Sequence, residues 1–533
     1  MSPGHLDSEG LVPLLSRSAE ELLSRGRDAQ VIDTALFFVG VRKVRGRAGN
    51  LRVARNEGGC PVTKIVLEVS ENLKGLEGPL VALVAEAERR LRDARQGRGV
   101  DYELFEQRVG ERLAEVERTV HGATLAALDV DAEHVLINGR LHARVGRNPA
   151  EYKCQAGPVP VTRSLYRPLG ERNAPTVDLV TLRSGTVADG WLPGTARAMA
   201  HLLQQGTSRE AKQTADRLGR LPYSRSSFER VGHEVGELFA KKRVPIEETL
   251  IRAFEVPKEA RSVSVSLDRV TVPMEEPKPR RPGRPKKDAP KRSIQRVFRM
   301  AYCGTVTLHD EKGEALHTIR YGCMPEADEK ALVTSMASDV LAFRRQQPAL
   351  AVMALADGSP ENWNLLGDAL DEQSFGEVHR LIDFWHVLEK LAAAAKVIHG
   401  QEAAPGVVRR WKLRLLNSDA ASGEILEELT ASGKEHQRAG DAEPVHEAMT
   451  YLQNNTSRMM YATARSLGLP IGSGAVEATC KSLIGIRMKR PGSRWKHSTG
   501  EHVIQLRALS LSDRWDQAMD LTLRPVPVYA RAA

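Results

Sequence analysis

Glu477 is the only carboxylate in LPIGSGAVEATCKSLIGIRMKR, residues 469–490, a run otherwise small, apolar or, toward its end, basic. Asp268 is a charge embedded in the alternating segment RSVSVSLDRVTV; the apolar phase of Val263, Val265 and Leu267 slips after it and resumes at Val270 and Val272. Asp357 ends the continuous apolar run PALAVMALADG. Such runs fit strands buried on both faces, and the carboxyl ends of those strands are where open α/β sheets meet ligands. Hard oxygen donors converging on one edge suit Mg²⁺ or Mn²⁺. Two such ions about 3.5–4 Å apart would activate an attacking oxygen and stabilise a leaving one in phosphodiester chemistry. Asp383 also ends a strand-like segment, EVHRLID, and spacing alone does not rank it against Asp357. Each acid taken singly has a plainer explanation: Asp357-Gly358 starts a turn, Asp268 faces solvent on an edge, and Glu477 favours a helix start or pairs with Lys481. A reciprocal capping box is closed to Glu477, because the position three residues before it is Gly474.

The elements that must position these acids are legible as changes of period. RSVSVSLDRVTV, QRVFRMAYCGTVTL and ALHTIRYG read as a β-meander, followed by a helix over about residues 325–345, the buried strand before Asp357, a helix from Glu361, the strand EVHRLID and the helix FWHVLEKLAAAAKVI. Three antiparallel strands followed by strand-helix units make a mixed sheet with helices on its faces. Residues 399–466 are helical and charged and form an all-helical insertion; residues 467–515 carry the Glu477 helix and a basic segment, and residues 516–533 a tail that frays from Leu523. Upstream, residues 1–132 form a mainly helical domain in which Leu104, Phe105, Val109, Leu113, Val116 and Val120 make a stripe that packs internally or on a second subunit. Residues 133–200 form a small β-containing domain. Residues 201–258 read as two helices about a turn at 219–223, either a helix-turn-helix with Arg225 and Arg230 free to enter a groove or a plain helical hairpin.

A chain of 533 residues is long enough for several domains. Its net charge of +9 is modest but locally concentrated, which favours a polyanionic partner. The five cysteines are scattered without paired short spacings, so reduced thiols in a cytoplasmic setting are expected, and no zinc. The longest apolar runs, at residues 35–41 and 349–356, are too short to span a bilayer, and no membrane association is expected.

The order of motifs VSLDRVTVPMEE, ALADGSPENWNLL, LIDFWHVLEKL and IGSGAVEATCKSLIGIRMKRPGSRW resembles the DDE transposases of bacterial insertion sequences, ISKra-type, with Mutator-like relatives, over residues 261–513. The resemblance implies a ribonuclease H-like catalytic domain, its first part residues 259–398, interrupted by the helical insertion. It implies catalytic and metal-binding roles for Asp268, Asp357 and Glu477 with two Mg²⁺ or Mn²⁺ ions, and accessory roles for Asp383 and His386, which match a Cys/Asp-then-His pattern of the Mutator-like enzymes. The gap from Asp268 to Asp357 is 89 positions (357 − 268) and that from Asp357 to Glu477 is 120 (477 − 357), the second lengthened by the insertion. Paired cysteines found upstream in many ISKra-type proteins are reduced here to Cys154.

Two basic stretches would hold the substrate. The arm at residues 275–293, between the first two strands of the meander, carries Arg280, Arg281, Arg284, Lys286 and Lys287 in KPRRPGRPKKDAPKR. Proline keeps it extended, able to follow phosphates or enter a minor groove in the manner of the AT-hook it resembles. Beyond Glu477 come Lys481, Arg487, Lys489, Arg490, Arg494 and Lys496, with Trp495 read either as a stacking surface for an unpaired base or as core. The expectation is a cytoplasmic, nucleoid-associated bacterial transposase. It would cut double-stranded DNA at transposon terminal inverted repeats and transfer the end into target DNA, working as a homodimer or larger synaptic complex. A domesticated non-catalytic DNA-binding protein and a ribonuclease H-like nuclease without strand transfer are the alternatives.

Overall fold

The computed structural model describes residues 67–279, 293–436 and 443–533. The expected DNA contacts Arg280, Arg281, Arg284, Lys286 and Lys287 therefore lie outside the described residues. The chain divides into two compact units, Met1–Lys74 and Gly75–Ala533, and both β-sheets with their helices belong to the second. Among the described residues no helix is long and apolar enough to cross a membrane.

Alternating segments of the amino-terminal half form a four-stranded sheet. Strands β1 (His134–Ile137), β2 (Arg140–Cys154) and β3 (Gly157–Pro168) run antiparallel as a meander, and the last strand of the chain, β9 (Ala530–Ala532), pairs with β1. The expected fraying of the tail is thus corrected. An open β1 edge would leave a row of backbone donors and acceptors unpaired, and the tail satisfies them through Asn138 N–H to Tyr529 O (2.8 Å) and Ala533 N–H to His134 O (3.1 Å). Arg183 locks it by donating to Ala530 O at 2.6 Å.

Helices Pro193–Gln205, Ser208–Arg217 and Arg225–Ala253 share a core with His497–Leu511 and Trp515–Thr522, in which Met199, Phe228, Val235, Leu506 and Met519 are buried together. Of the two arginines that the helix-turn-helix reading left free, Arg225 donates through Nε to Ser208 Oγ at 2.9 Å and Arg230 forms an exposed ion pair with Asp189 at 3.4 Å. Their helix packs as part of a bundle, so its charged side chains find partners in neighbouring segments.

The central sheet has five strands in the order β6-β5-β4-β7-β8: β4 (Ser262–Pro277), β5 (Ile294–His309) and β6 (Ala315–Cys323) antiparallel, then β7 (Ala351–Ala356) and β8 (Val378–Ile382) parallel to β4. The chain is thus a mixed α/β protein with a five-stranded mixed sheet. One face packs on helix Glu329–Gln346, where Gly304 leaves room for Met336; the other packs on residues 476–508, where Gly322 leaves room for Leu483 and Ile504. The phase slip at Asp268 has its explanation in these two faces. The pairing of β4 with β5 runs without a bulge from Ser262↔His309 to Pro277↔Ile294, so the strand itself does not slip. Val263, Val265 and Leu267 point into the core of the first face, whereas Val272 and Met274 point into the core of the second. Asp268, opposite Cys303 in the ladder, stands on the second face where the burial changes sides.

Helix Phe384–Asn417 leaves the sheet, breaks helical geometry at Gly400 (φ +76°), and continues into helices Ala421–His436, Glu443–Asn455 and Tyr461–Ser466. Trp411, Leu415, Leu452 and Tyr461 of this insertion belong to the same apolar core as the sheet.

Deleting residues 528–533 is expected to cost about 1–3 kcal/mol, from a few net hydrogen bonds worth about 1 kcal/mol each, and to speed hydrogen exchange at Val135–Ile137 selectively. Unchanged exchange in β1 would contradict the docked tail.

Candidate active site at the carboxyl edge of the central sheet

Strand register alone brings three acids into one row. β4 and β7 pair in parallel with Val265 opposite Ala354, an offset of 89 (354 − 265), so continuing the register places Asp268 level with Asp357. β7 and β8 pair with Ala356 opposite Ile382, which places Asp383 level with Asp357 in turn, and Asp383 N–H donates to Ala356 O at 2.9 Å. The row lies at the carboxyl ends of β7 and β8 and midway along β4, just past the stretch over which β4 pairs with β7.

Each member is held differently. Asp357 Oδ1 accepts from Ser359 N–H (3.1 Å) and Asn362 Nδ2 (3.0 Å), and Nδ2 also reaches Leu267 O (3.3 Å) on β4, so one amide ties the two strand ends. Asp268 Oδ1 accepts from Arg269 N–H (2.6 Å), and Oδ2 accepts from the Cys480 thiol (3.3 Å). Asp383 is fully buried. Its Oδ1 accepts from His386 N–H (2.9 Å) and lies 3.1 Å from His386 Nδ1, and its Oδ2 accepts from Ser473 N–H. Burial pushes its pKa up, but these hydrogen bonds outweigh burial and hold it at about 2. The same carboxylate raises His386 to about 9 against opposing burial, with Glu389 and Glu477 adding to the rise. The neighbouring carboxylate thus favours the protonated form of His386.

Glu477 sits on the short helix Gly474–Thr479, which continues as a wider π-turn over Cys480–Gly485. Such turns re-aim side chains and recur at functional sites. Its carboxylate gathers with the donor atoms of Asp383 and His386 within 4.8 Å of one another, and Cys480, one turn on, touches Asp268. The turn thus spans the row of acids. Among the described residues Asp268, Asp357 and Glu477 form no ion pair, and Glu477 makes no side-chain hydrogen bond. The tight donor group is Asp383, His386 and Glu477 rather than Asp268, Asp357 and Glu477. Asp383 has both oxygens met by protein donors, and so does Asp268, through Arg269 N–H and the Cys480 thiol. Asp357 Oδ2 and both oxygens of Glu477 accept no hydrogen bond among the described residues, and with Asp268 and Asp383 they make a hard donor set of the kind that suits divalent cations of the Mg²⁺ type.

The cations beyond Glu477 separate into two groups. Lys481, Lys489, Arg494 and Lys496 are exposed and unpaired among the described residues. Arg487 is buried, with 4% of its surface exposed, and donates to Leu203 O at 3.0 and 3.2 Å. Burial lowers its pKa to about 10. Arg490 pairs with Glu210, whose carboxyl it holds at about 2. Trp495 is docked as core: its Nε1 donates to Met488 O (3.1 Å), its backbone pairs with Pro273 and Glu275 at the end of β4, and Arg487 covers its ring. The expectation that Arg487 faces DNA is corrected, because it is buried against a carbonyl of the bundle; Arg490 is partly exposed and paired with Glu210, and of the two readings of Trp495 the structure takes packing.

Three site residues are not marked out by the motifs. Asn362 and Cys480 had a spacing signal, five residues after Asp357 and one helical turn after Glu477. Tyr451 had none. It comes from the insertion, lies against Gly358, and has a buried hydroxyl without a hydrogen-bond partner; burial and then the charges of Asp357 and Asp383 raise its pKa.

Asp383→Asn is expected to return the His386 titration, followed by NMR, from about 9 toward its ordinary 6.5. Because the folded pKa is raised, the stability that His386 contributes is complete below about pH 6.5 and disappears as pH climbs through 9; that alkaline loss should vanish in His386→Ala. Arg487→Ala is expected to cost about 1.5–3 kcal/mol in urea unfolding, whereas Lys481→Ala should stay within about 0.5 kcal/mol. No family model and no curated protein matches the chain, so geometry and chemistry carry the functional reading.

Proposed function

We propose that the chain is a DDE-type DNA transposase with a ribonuclease H-like catalytic domain, cutting double-stranded DNA at transposon ends and joining the freed ends to target DNA. The observation that carries this reading is the row of Asp268 and Asp357 in one strand register, faced by the Glu477 turn, with none of the three carboxylates ion-paired among the described residues. A meander of three antiparallel strands, two parallel strands, acids on the first strand and after the fourth, and a Glu on a late helix is the arrangement that the sequence resemblance implies.

Asp268, Asp357 and Glu477 would hold two Mg²⁺ ions, which when bound supply Lewis-acid stabilisation of attacking and leaving phosphodiester oxygens. The protein's own residues do the placing. Asp383 fixes the start of the Glu477 turn through Ser473 and favours the protonated form of His386 beside the site, where an imidazolium can meet a phosphate. Asn362 keeps the β4 and β7 ends together. Lys481, Lys489, Arg494 and Lys496 offer free cations on the stretch after Glu477, suited to phosphate contacts that position rather than specify. Hydrolysis of one phosphodiester would release a 3′-hydroxyl, and attack of that oxygen on a target phosphodiester forms one P–O bond for each one broken. Synapsis of two ends requires a homodimer or larger assembly.

Divalent-cation-dependent cleavage of a transposon-end duplex and joining of a 3′-hydroxyl end to plasmid DNA test the reading together. Glu477→Gln is expected to lower both by more than about two orders of magnitude, the scale of losing one transition-state contact, while duplex binding survives. Full activity in that variant would sink the assignment; cutting without joining in the wild type would point to a nuclease.

A further inference from the structure

A second set of ligand-type side chains lies far from the acids in sequence, in the amino-terminal part of the second unit. Glu117 and His121 stand one turn apart on helix Tyr102–Ala127, and Cys154 ends β2. A carboxylate oxygen, an imidazole nitrogen and the Cys154 sulfur lie within 4.8 Å of one another. Donors around a tetrahedral zinc stand about 3.3–3.8 Å apart, from bond lengths of about 2.0–2.3 Å, so closure needs side-chain shifts of only about an ångström. Cys154 is 1% exposed, and its thiol makes a single hydrogen bond, to Gly157 O at 3.2 Å. Apart from its proximity to Glu117 (Nε2 to Oε1, 4.0 Å), His121 makes no polar contact among the described residues.

The surroundings are those of a built joint. Arg220 grips Glu117 through two hydrogen bonds (2.7 and 3.0 Å) and reaches Gln155, Arg118 donates to Ala156 O (2.9 Å), and the Tyr223 hydroxyl donates to Cys154 O (2.6 Å). Arg220 meets both oxygens of Glu117, Nη1 on Oε2 and Nη2 on Oε1, so ligation would replace the longer bond at Oε1, the oxygen nearer His121, while Oε2 stays held. The helix that presents Glu117 and His121 has little apolar burial: of its 26 residues only Leu125 is buried, while Leu104, Leu113 and Val120 are exposed.

We propose that Glu117, His121 and Cys154 form a structural site for a borderline-soft divalent transition ion, zinc by preference, that pins helix Tyr102–Ala127 to the end of the β2–β3 hairpin. Thiolate and imidazole select zinc or cobalt over magnesium, which separates this site from the carboxylates at the sheet edge. Binding forms a metal–sulfur bond as the Sγ proton leaves to solvent, with His121 ligating as the neutral imidazole and a fourth position left to water. Burial raises the Cys154 pKa in the free protein, so the thiol stays protonated until a cation displaces its proton. The proposal runs against the expectation of no zinc, which rested on counting cysteine pairs; a site with a single thiolate is invisible to that count.

The test uses the full-length protein stripped of metal by a chelator and titrated with cobalt(II). A thiolate-to-cobalt charge-transfer band is expected at about one ion per chain; it should disappear in Cys154→Ser and persist in Glu477→Gln. His121→Gln, on a partly exposed position that the fold does not need, should weaken cobalt and zinc binding at least about tenfold with unchanged circular dichroism. Zinc should slow hydrogen exchange across residues 115–122 in the wild type only. Absence of the band in the wild type, its survival in Cys154→Ser, or unchanged affinity in His121→Gln would each overturn the proposal.

Discussion

The parallel register of β4, β7 and β8 is the constraint on which the candidate active site depends. Once Val265 pairs with Ala354 and Ala356 with Ile382, acids 89 and 26 positions apart in the chain fall level at one sheet edge. Inter-strand hydrogen bonds space neighbouring strands at about 4.8 Å, so the row is as rigid as the ladder that defines it. A slip of one residue would turn Asp268 from the Glu477 face toward helix Glu329–Gln346. The large apolar cluster on that helix, with Leu267 and Met336 fully buried, is what forbids the slip.

The fourth acid arrives by a different route. The insertion separates Glu477 from the strands, and the path back is secured by one buried carboxylate: Asp383 caps helix Phe384–Asn417 through His386 N–H and receives Ser473 N–H at the start of the Glu477 turn. A charge at 0% exposure is tolerated because hydrogen-bond donors meet both oxygens. The two ends of the insertion are thereby stapled at the sheet edge, and the insertion in turn places Tyr451 beside Asp357. Asp383 thus joins the two ends of the insertion, whereas Asp357 keeps one oxygen without a hydrogen bond.

Sorting the cations by partner separates surface available to a polyanion from surface already spent. Arg487, Arg490 and Arg507 bind the carbonyl or carboxylate groups of the bundle at Leu203, Glu210 and Gln204, and so fasten the segment after Glu477 to the amino-terminal helices. Lys481, Lys489, Arg494 and Lys496 are left over. Guanidinium groups, weakly hydrated and planar, accept burial against carbonyls, and the three lysines stay in water; Arg494 stays exposed with them.

The local pattern of the sequence was enough for the meander, the buried strand before Asp357, the strand before Asp383 and the helices between them, because period-two alternation, continuous apolar runs and turn residues act between chain neighbours. It also placed Asp357 and Asp383 at strand ends, Asp268 within the first strand and Glu477 on a late helix. It misjudged the tail, whose partner β1 lies almost four hundred residues earlier, and the burial of Arg487; for Arg225, Arg230 and Trp495 it left open whether they are free or packed, and it did not foresee the pairing of Arg490 with Glu210. The meeting of Cys154 with Glu117 and His121 was equally out of reach. A side chain's type and local period are written in the chain around it; whether its charge is paired, buried or available is set by groups that only long-range packing brings within a few ångströms.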